Sequence, residues 1–581
     1  MDAFRLWLLA AGRGFQILAA LVAGGGGFYL FLQFGASDGI DAFDILRAGL
    51  IFISTAWLAI GASGAFLGLL TRAPKQPETS GPLSTRTVVL MPMYNEDPRE
   101  TFARLAAMDE SLQATGYGAS FDIAILSDTR DDARAAQEWV WFHHLLDVRG
   151  GHGRMFYRRR DENSGKKAGN IESFIATSGA AYDFAVILDA DSLMEGETIV
   201  ALARRMEAAP DMGLIQTLPQ IVNAKSRFGR GQQFAAAFHS PVFARGQAML
   251  QGRTGPFWGH NAITRVNAFA ESCGLPVLPG KAPFGGHILS HDYVEAALLA
   301  RNNWTVRLDD DLGGSYEEGP ENIVDHAKRD RRWCQGNLQH SKLILAPGLK
   351  GWSRFTFLQG ILAYISPLFW LAFIIASILA PLTATNQPNY YPNEYWQFPV
   401  LPPDQTSKAI GLAVGVIGLL IMPKMLVWLK AALTGRTRGF GGAGLAGLSA
   451  LAELLSSSLM APVFLMYQTR SVIQVLMGRD GGWPPNNRGD GRLNLRDAWA
   501  ASNWISLTGI VGLIAAIWLT PALVPWLLPV GLPMIAAPLI IMWSSRPSRT
   551  ALFSVPQERA QPPIVTRHQA ICDEWAAHPA Q

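Results

Sequence analysis

Tyr182-Asp183-Phe184-Ala185-Val186-Ile187-Leu188-Asp189-Ala190-Asp191-Ser192 is the segment from which the class of fold follows. Its apolar run, Phe184 to Leu188, predicts a β-strand buried on both faces. Asp189 and Asp191 follow this run, and residues two apart in an extended chain point to the same side. Open α/β sheets bind ligands at the carboxyl ends of their strands, so the two acids indicate a ligand site.

Two carboxylates at one point are difficult to keep charged unless a cation lies between them. Hard divalent cations prefer oxygen ligands, so Mg²⁺ or Mn²⁺ carrying a phosphorylated ligand fits Asp189 and Asp191. The alternative is a strand that ends in a turn with two solvated acids.

The composition indicates a membrane protein of several domains. The chain has 581 residues, of which 49% are hydrophobic and only 16% are charged. A formal net charge of +3 gives no reason to expect a nucleic-acid partner. Cys273, Cys334 and Cys572 lie far apart, which predicts free thiols in a reducing compartment.

Six apolar segments are long enough to cross a bilayer: residues 15–34, 43–70, 355–382, 409–429, 505–519 and 523–542. Arg5 and Arg13 precede the first segment, and Arg72 follows the second, so both termini are predicted to be cytoplasmic. The loop 383–403 has no basic residue and is predicted to be exterior. Residues 445–477 carry Glu453 and Arg470 and are predicted to lie in the interface; two further short crossings are the alternative.

The predicted domains are two membrane helices and a linker (1–82), a cytoplasmic α/β domain with an interface helix (83–350), two membrane helices (351–440), interface helices with a cytoplasmic loop (441–500), two membrane helices (501–545) and a cytoplasmic tail (546–581). Within the α/β domain the predicted strands are 87–91, 121–126, 155–158, 184–188 and 214–217, and the predicted helices are 99–114, 131–148, 168–178 and 197–208. This alternation predicts a parallel, doubly wound sheet.

Acidic and polar side chains follow three of these strands. Asn95 and Glu96 come after the first, Asp128 after the second, and Asp189 with Asp191 after the fourth. The carboxyl ends of parallel strands meet at one edge, so these residues are predicted to share a site. Three independent helix caps are the alternative.

A lysine and an aspartate open two of the predicted helices. Lys167, beside a helix N-terminus, suits phosphate, although a solvated basic turn would look the same. Asp292, before the helical residues 293–300, suits a general base, with simple capping as the alternative. A zinc site at His287 and His291 is disfavoured, because no third ligand has convincing spacing.

The segment Arg329 to Asn337 is a basic, aromatic helix just before the third apolar segment. Arg332 suits a departing diphosphate, and the indole of Trp333 suits a stacked sugar. A membrane-surface helix is the alternative.

Taken together, these blocks resemble the processive glycosyltransferases of family 2, the group of cellulose and hyaluronan synthases. The resemblance is carried by Tyr94-Asn95-Glu96, Asp128, Lys167-Ala168-Gly169-Asn170, Asp189-x-Asp191, Asp292 and Arg332-Trp333. Within the group the chain looks most like the synthases of the osmoregulated periplasmic glucan backbone, through residues 91–98, 258–263 and 289–297.

The chain departs from cellulose synthases in three places. Ser290-His291-Asp292 stands where they have Thr-Glu-Asp, and Arg329 stands at the Gln of their Gln-x-x-Arg-Trp box. No Phe-x-Val-Thr gating signature occurs in the loop 479–496. These departures argue against cellulose as the product.

The resemblance implies a GT-A domain inserted between membrane helices, with interface helices beneath a pore. It implies an inverting glucosyltransferase that takes UDP-glucose, elongates a β-1,2-glucan and exports it across the bacterial inner membrane. The implied partners are the donor, the growing glucan, the lipid bilayer and a further glucan-biosynthesis protein on the periplasmic side. The alternatives are a synthase of another β-linked polymer and a nucleotide-sensing transporter that does no chemistry.

The same resemblance assigns roles to single residues. The base is Asp292. The donor site comprises Asn95, Glu96, Asp128 (uridine), Lys167 and Arg332 (diphosphate), and Asp189 and Asp191 (nucleotide), with Mg²⁺ or Mn²⁺ on Asp191 and its neighbour Asp189. The acceptor site comprises Trp333, Trp258, His260, Asn261 and His291.

Overall fold

The structure is a computed structural model, which describes residues 3–35, 40–382, 406–479 and 491–577. The predicted exterior loop, 383–403, and most of the loop 479–496 lie outside these residues.

The helices are α1 Ala3–Gly35, α2 Ala42–Leu70, α3 Pro98–Ala114, α4 Asp132–Arg149, α5 Lys166–Ser178, α6 Gly196–Glu207, α7 Arg227–Phe238, α8 Ser240–Gln251, α9 Val266–Ser272, α10 His291–Arg301, α11 Ile323–Gln339, α12 Gly351–Leu379, α13 Thr406–Leu433, α14 Ala443–Leu476, α15 Leu495–Leu519, α16 Val524–Ile535, α17 Ala537–Ser544, α18 Pro556–Arg559 and α19 Pro563–Ala577. The strands are β1 Thr87–Met93, β2 Phe121–Ser127, β3 Met155–Arg159, β4 Phe184–Ile187, β5 Leu193–Met194, β6 Met212–Thr217, β7 Gln220–Val222, β8 Ala262–Arg265, β9 Thr305–Asp309 and β10 Ser315–Glu318.

The α/β domain is built on a seven-stranded sheet with the order β3-β2-β1-β4-β8-β6-β9, and β5, β10 and β7 form a second small sheet. The prediction of a wholly parallel sheet is wrong, because β8 runs antiparallel to β4 and β6. Between β6 and β8 the chain passes through α7 and α8. It re-enters the sheet at Ala262, beside Ile187 and Gln216, where β4 and β6 end. Because the chain re-enters the sheet at the end from which it left, β8 runs antiparallel to β4 and β6.

Helices cover both faces of the sheet, as the continuous apolar strands predict. Val89 and Met91 of β1 face one hydrophobic core, shared with α3, α4 and α6. Val88 and Leu90 face the other core, shared with α5, α9 and α10. The strand order reverses between β1 and β4, so a crevice forms where these two strands end.

By length and composition, six described helices could each cross a membrane: α1, α2, α12 with its following turn, α13, α14 and α15. A seventh candidate is the pair formed by residues 521–535 and 537–544, which is bent by 60°. The segment 523–542, predicted as one straight span, is therefore broken near Ala536. Pro529 and Pro533 lie inside α16, and Pro538 opens α17.

Helix α14 is one continuous helix of 34 residues where several interface helices were predicted. Its first turn shares a hydrophobic cluster with α7, through Ala446 and Phe238. Its last turns share another with α11, through Val472 and Cys334. Both ends of α14 therefore contact helices of the α/β domain.

Helix α8 joins the domain to α2 through glycines. A methyl group added to Gly246 would overlap the carbonyl oxygen of Gly64, and one added to Gly68 would overlap that of Val242. The two helices therefore meet backbone to backbone, which only residues without a side chain permit.

The C-terminal residues return from α17 to the α/β domain. Arg230 of α7 pairs with Glu558 at 3.1 Å. Farther along, Arg567 of α19 pairs with Glu110 at 3.0 Å, and the ring of Trp575 stacks on Trp141 with centroids 5.1 Å apart. Helix α19 belongs to the same hydrophobic core as α3.

Candidate functional site

A cavity opens at the crevice between β1 and β4. It is lined by Pro92, Met93, Tyr94, Glu96, Asp128, Asn163, Lys166, Lys167, Asp189, Ala190, Asp191, Arg329 and Arg332. The structure thus brings together the ends of β1, β2 and β4 with the start of α5 and one face of α11. Six of the residues expected to bind the donor, Glu96, Asp128, Lys167, Asp189, Asp191 and Arg332, line this one cavity.

Asn95, the remaining residue of that set, lies in the same β1–α3 turn but does not line the cavity. It has a left-handed backbone with φ of 59°, a conformation that asparagine tolerates better than most residues. Its backbone N–H donates to Thr129 Oγ1 at 2.9 Å. Asn95 therefore shapes the turn that presents Glu96.

Asp128 is buried and accepts two hydrogen bonds from the guanidinium of Arg160, each at 2.8 Å. Arg160 follows β3, so a fourth strand end contributes to the site. The bidentate pair fixes the carboxylate plane of Asp128 at the cavity wall. Sequence reasoning missed Arg160, although the rule that found the other strand ends would have reached Arg158-Arg159-Arg160 as well.

Lys167 connects the paired acids to the next part of the site. Its ammonium donates to Asp189 Oδ1 and, at 2.6 Å, to the carbonyl oxygen of Gly259. Burial opposes ionisation of Asp189, but Lys167, His260 and Arg329 together outweigh it and lower the pKa of this carboxyl well below its ordinary value. Asp189 is therefore held as a carboxylate.

Asp292 lies directly behind Gly259. A methyl group added to Gly259 would lie 3.5 Å from Asp292 Oδ2, so the carboxylate packs on this stretch of backbone. Asp292 does not line the cavity itself; Gly259, held by Lys167, separates the two. Burial raises the pKa of Asp292 above its ordinary value, although His291 opposes the shift.

The end of helix α11 holds the loop that precedes Asp292. Gln339 accepts a hydrogen bond from the N–H of Leu289 at 2.9 Å and donates to the carbonyl oxygen of His287 at 3.2 Å. His340 Nε2 lies 2.9 Å from the carbonyl oxygen of Ser290. Helix α11 thus supplies Arg332 to the cavity and positions the loop before Asp292.

Arg329 and Arg332 of α11 line the cavity, whereas Trp333, the next residue, does not. Burial, together with the neighbouring Arg329, lowers the pKa of Arg332 to about 10, so it stays cationic at neutral pH. The guanidinium carbon of Arg329 lies 4.6 Å from the centroid of the Trp333 ring. Trp333 is partly exposed beside the cavity.

The other residues expected at the acceptor site lie around Asp292 but outside the cavity lining. His260 Nε2 is 3.4 Å from Glu317 Oε2, and the N–H of Trp258 donates to Gln216 at 2.9 Å. His291 Nδ1 is 3.1 Å from Glu295 Oε1. Burial opposes protonation of His291, but Glu295 outweighs it and raises the pKa of the imidazole.

Asn261 belongs to the hydrogen-bonded framework of the α/β domain. It is fully buried, and its amide donates to Ser315 Oγ at 2.9 Å and to the carbonyl oxygen of Tyr316 at 3.2 Å. These bonds tie the start of β8 to β10. A sugar in the donor cavity would not contact this side chain without a rearrangement.

The residues present fit a divalent ion that is held partly by its ligand. Within the described part of the chain, no three His, Cys, Asp or Glu side chains are close enough to hold an ion by themselves. Mg²⁺ is commonly bound by one or two carboxylates, with phosphate oxygens and water completing its shell. Asp189 and Asp191 line the cavity together with Lys166 and Arg332, a donor set that suits a metal-bound diphosphate.

Two glycosyl transferase family models match this chain. The model of glycosyl transferase family 2 matches residues 88–272, and that of glycosyl transferase family group 2 matches residues 184–422. A mannosyltransferase from Pyrobaculum calidifontis, solved with GDP-Man and Mn²⁺, covers 67% of this chain and 96% of its own, with 15% identity and a TM-score of 0.43. An identity and a TM-score this low support no conclusion about the function of this chain.

Relatives that align with almost the whole of this chain are more informative. Glucans biosynthesis glucosyltransferase H of Cereibacter sphaeroides is 62% identical over 97% of this chain and 94% of its own. The protein of that name from Bradyrhizobium diazoefficiens is 40% identical over 96% of this chain and 75% of its own. The chain therefore belongs to the glucans biosynthesis glucosyltransferase H family, a branch of glycosyl transferase family 2.

Proposed function

We propose that this glycosyltransferase transfers glucose from UDP-glucose onto the end of a β-1,2-linked glucan, with inversion at the anomeric carbon. The observation that carries the proposal is the single cavity in which Asp128, Lys167, Asp191 and Arg332 meet. Two cations face a carboxylate pair, which is the arrangement that a metal-bound diphosphate requires. The name of the relatives supports glucose as the transferred sugar, and the resemblance of the sequence motifs suggests the linkage.

In this proposal the roles follow the geometry. Asp128, clamped by Arg160, binds the uridine, and Lys167 with Arg332 stabilises the charge that develops on the departing diphosphate. The ion held by Asp191, assisted by Asp189, would supply further positive charge to that diphosphate.

Asp292 accepts the proton of the attacking acceptor hydroxyl in this proposal. Its pKa is raised and is therefore closer to the pKa of an effective general base at neutral pH. The contact with Gly259 places it one backbone segment from the donor cavity. Trp333 would stack on the acceptor sugar, with Trp258, His260 and His291 around it.

We further propose that the product leaves through the bilayer, past a second cavity of about 630 Å³. This cavity is lined by aromatic and polar side chains as well as apolar ones, among them Trp57, His326, Trp370, Ser456 and Gln468. His326 lies on α11, three residues before Arg329, so one helix borders both cavities. Indole rings and small polar groups suit a sliding sugar chain.

In this proposal the chain crosses an inner membrane six times, and both of its termini are cytoplasmic. Helix α14 contacts the α/β domain at both ends and would lie along the membrane surface. Helix α15 would cross, because Thr520 at its far end donates to Ile378 at the far end of α12. The bent pair α16 and α17 would return, because Trp543 accepts from Arg227 of α7.

The test is UDP release from UDP-glucose by purified protein with Mg²⁺, followed by linkage analysis of the polymer. We expect release that depends on UDP-glucose and a product with β-1,2 linkages. Folded protein that releases no UDP would overturn the enzymatic proposal, and another linkage would overturn the product assignment.

A further inference from the structure

Arg329 lies between two groups that it could not contact at the same time once both substrates are bound. Its guanidinium covers one face of the Trp333 indole, at 4.6 Å from the ring centroid. It also lines the donor cavity together with Arg332, one helical turn further along α11. The same side chain therefore reaches the proposed place of the diphosphate and the proposed place of the acceptor sugar.

We propose that Arg329 orders the binding of the two substrates: without donor it covers the Trp333 indole, and with donor it turns to the diphosphate and uncovers the ring. This inference rests on the proposed function and adds a coupling between its two sites. It involves no covalent step, only the exchange of one cation between an indole and an anion.

The physical basis is the unequal strength of the two contacts. A cation–π contact at a partly exposed site is weak, whereas an arginine paired with a phosphate makes charge-assisted and often bidentate hydrogen bonds. Arg329 and Arg332 are also like charges one turn apart, which disfavours their approach until an anion lies between them. A diphosphate in the cavity would therefore draw Arg329 away from the ring.

The consequence is a reciprocal coupling. If the donor's diphosphate uncovers Trp333, then UDP must raise the affinity for a gluco-oligosaccharide, and the oligosaccharide must raise the affinity for UDP by the same factor. A glutamine at this position, as in the Gln-x-x-Arg-Trp box of cellulose synthases, carries no charge and could not respond to the diphosphate in this way.

The experiment measures binding of β-1,2-, β-1,3- and β-1,4-linked glucotetraoses to the full-length protein by equilibrium dialysis, with and without UDP and Mg²⁺. For the best-bound tetraose we expect UDP to tighten binding by about 2- to 10-fold in the unmodified protein. Arg329→Gln should bind it as tightly without UDP as the unmodified protein does with UDP, and UDP should add nothing. Arg329→Lys should retain part of the coupling.

Lys328→Gln is the matched control, because it removes a positive charge from the same turn. Lys328 pairs with Asp325 at 2.9 Å and does not line the cavity, so its coupling should equal that of the unmodified protein. A UDP effect that persists in Arg329→Gln, or is absent from the unmodified protein, overturns the inference. Failure of UDP itself to bind, measured separately, would instead overturn the proposed function.

Discussion

Replacing Asp292 with asparagine should abolish turnover and leave donor binding intact. Loss of a general base costs about 10²–10⁴-fold in rate, or roughly 3–5 kcal/mol of transition-state stabilisation. The side chain contacts Gly259 and not the donor cavity, whose lining includes Lys167 and Arg332. We therefore expect kcat to fall by this factor while the KM for UDP-glucose stays within about twofold.

The same substitution should not destabilise the protein. The pKa of Asp292 is raised in the folded state, so the folded chain binds its proton more tightly than the unfolded chain does. The free energy of unfolding therefore falls as the pH rises through the interval between the two pKa values, and the ionised carboxylate is destabilising above it. At neutral pH Asp292→Asn should equal or exceed the unmodified Tm, and the difference should narrow toward acidic pH.

The measurements are UDP release and thermal unfolding in detergent, with Asp131→Asn as the control. Asp131 caps α4 by accepting from the N–H of Arg134 at 3.1 Å, and asparagine caps a helix equally well. The control should leave both activity and Tm unchanged. If Asp292→Asn kept more than a tenth of the normal rate, or lost several degrees of Tm, Asp292 would be a structural residue and the base assignment would fail.

Gly246→Ala should force α8 away from α2 and cost about 1–3 kcal/mol of stability, read as a lower Tm, whereas Gly231→Ala in α7, which has open space beside it, should not. Lys424→Met should leave Glu453, which is mostly buried and lies 2.7 Å from the lysine ammonium, without that ion pair. The free energy of unfolding should fall by somewhat less than the ~3–5 kcal/mol typical of buried pairs, and adding Glu453→Leu should restore much of it. Removing divalent ions with EDTA should stop UDP release, and Mg²⁺ or Mn²⁺ should restore it; full activity in EDTA would rule out a metal-bound diphosphate.

The parts of the fold and site that the sequence could predict are those governed by local chemistry. A run such as Phe184 to Leu188 has to be buried, and the acids after it have to be at the strand end, which is where the structure has Asp189 and Asp191. The same reasoning located Asp128 and Lys167 at the cavity wall.

The parts that could not be predicted depend on where distant segments return. β8 is only four residues long and includes Thr264 and Arg265, so it has no apolar run, and its direction depends on the path through α7 and α8. The bidentate clamp of Arg160 on Asp128 and the burial of Asn261 against β10 are likewise tertiary contacts, which spacing alone does not encode.

The C-terminal segment limits how the α/β domain can move against the apolar helices. Trp575 and Arg567 anchor α19 on the α/β domain, and Glu558 anchors the preceding residues to α7. Val555, in the same segment, belongs to the hydrophobic cluster that α7 shares with α13 and α14, so rocking the domain against these apolar helices would break its contacts. In the proposed function, the glucan would then advance through movements of smaller parts near the cavity, such as the side chains of α11.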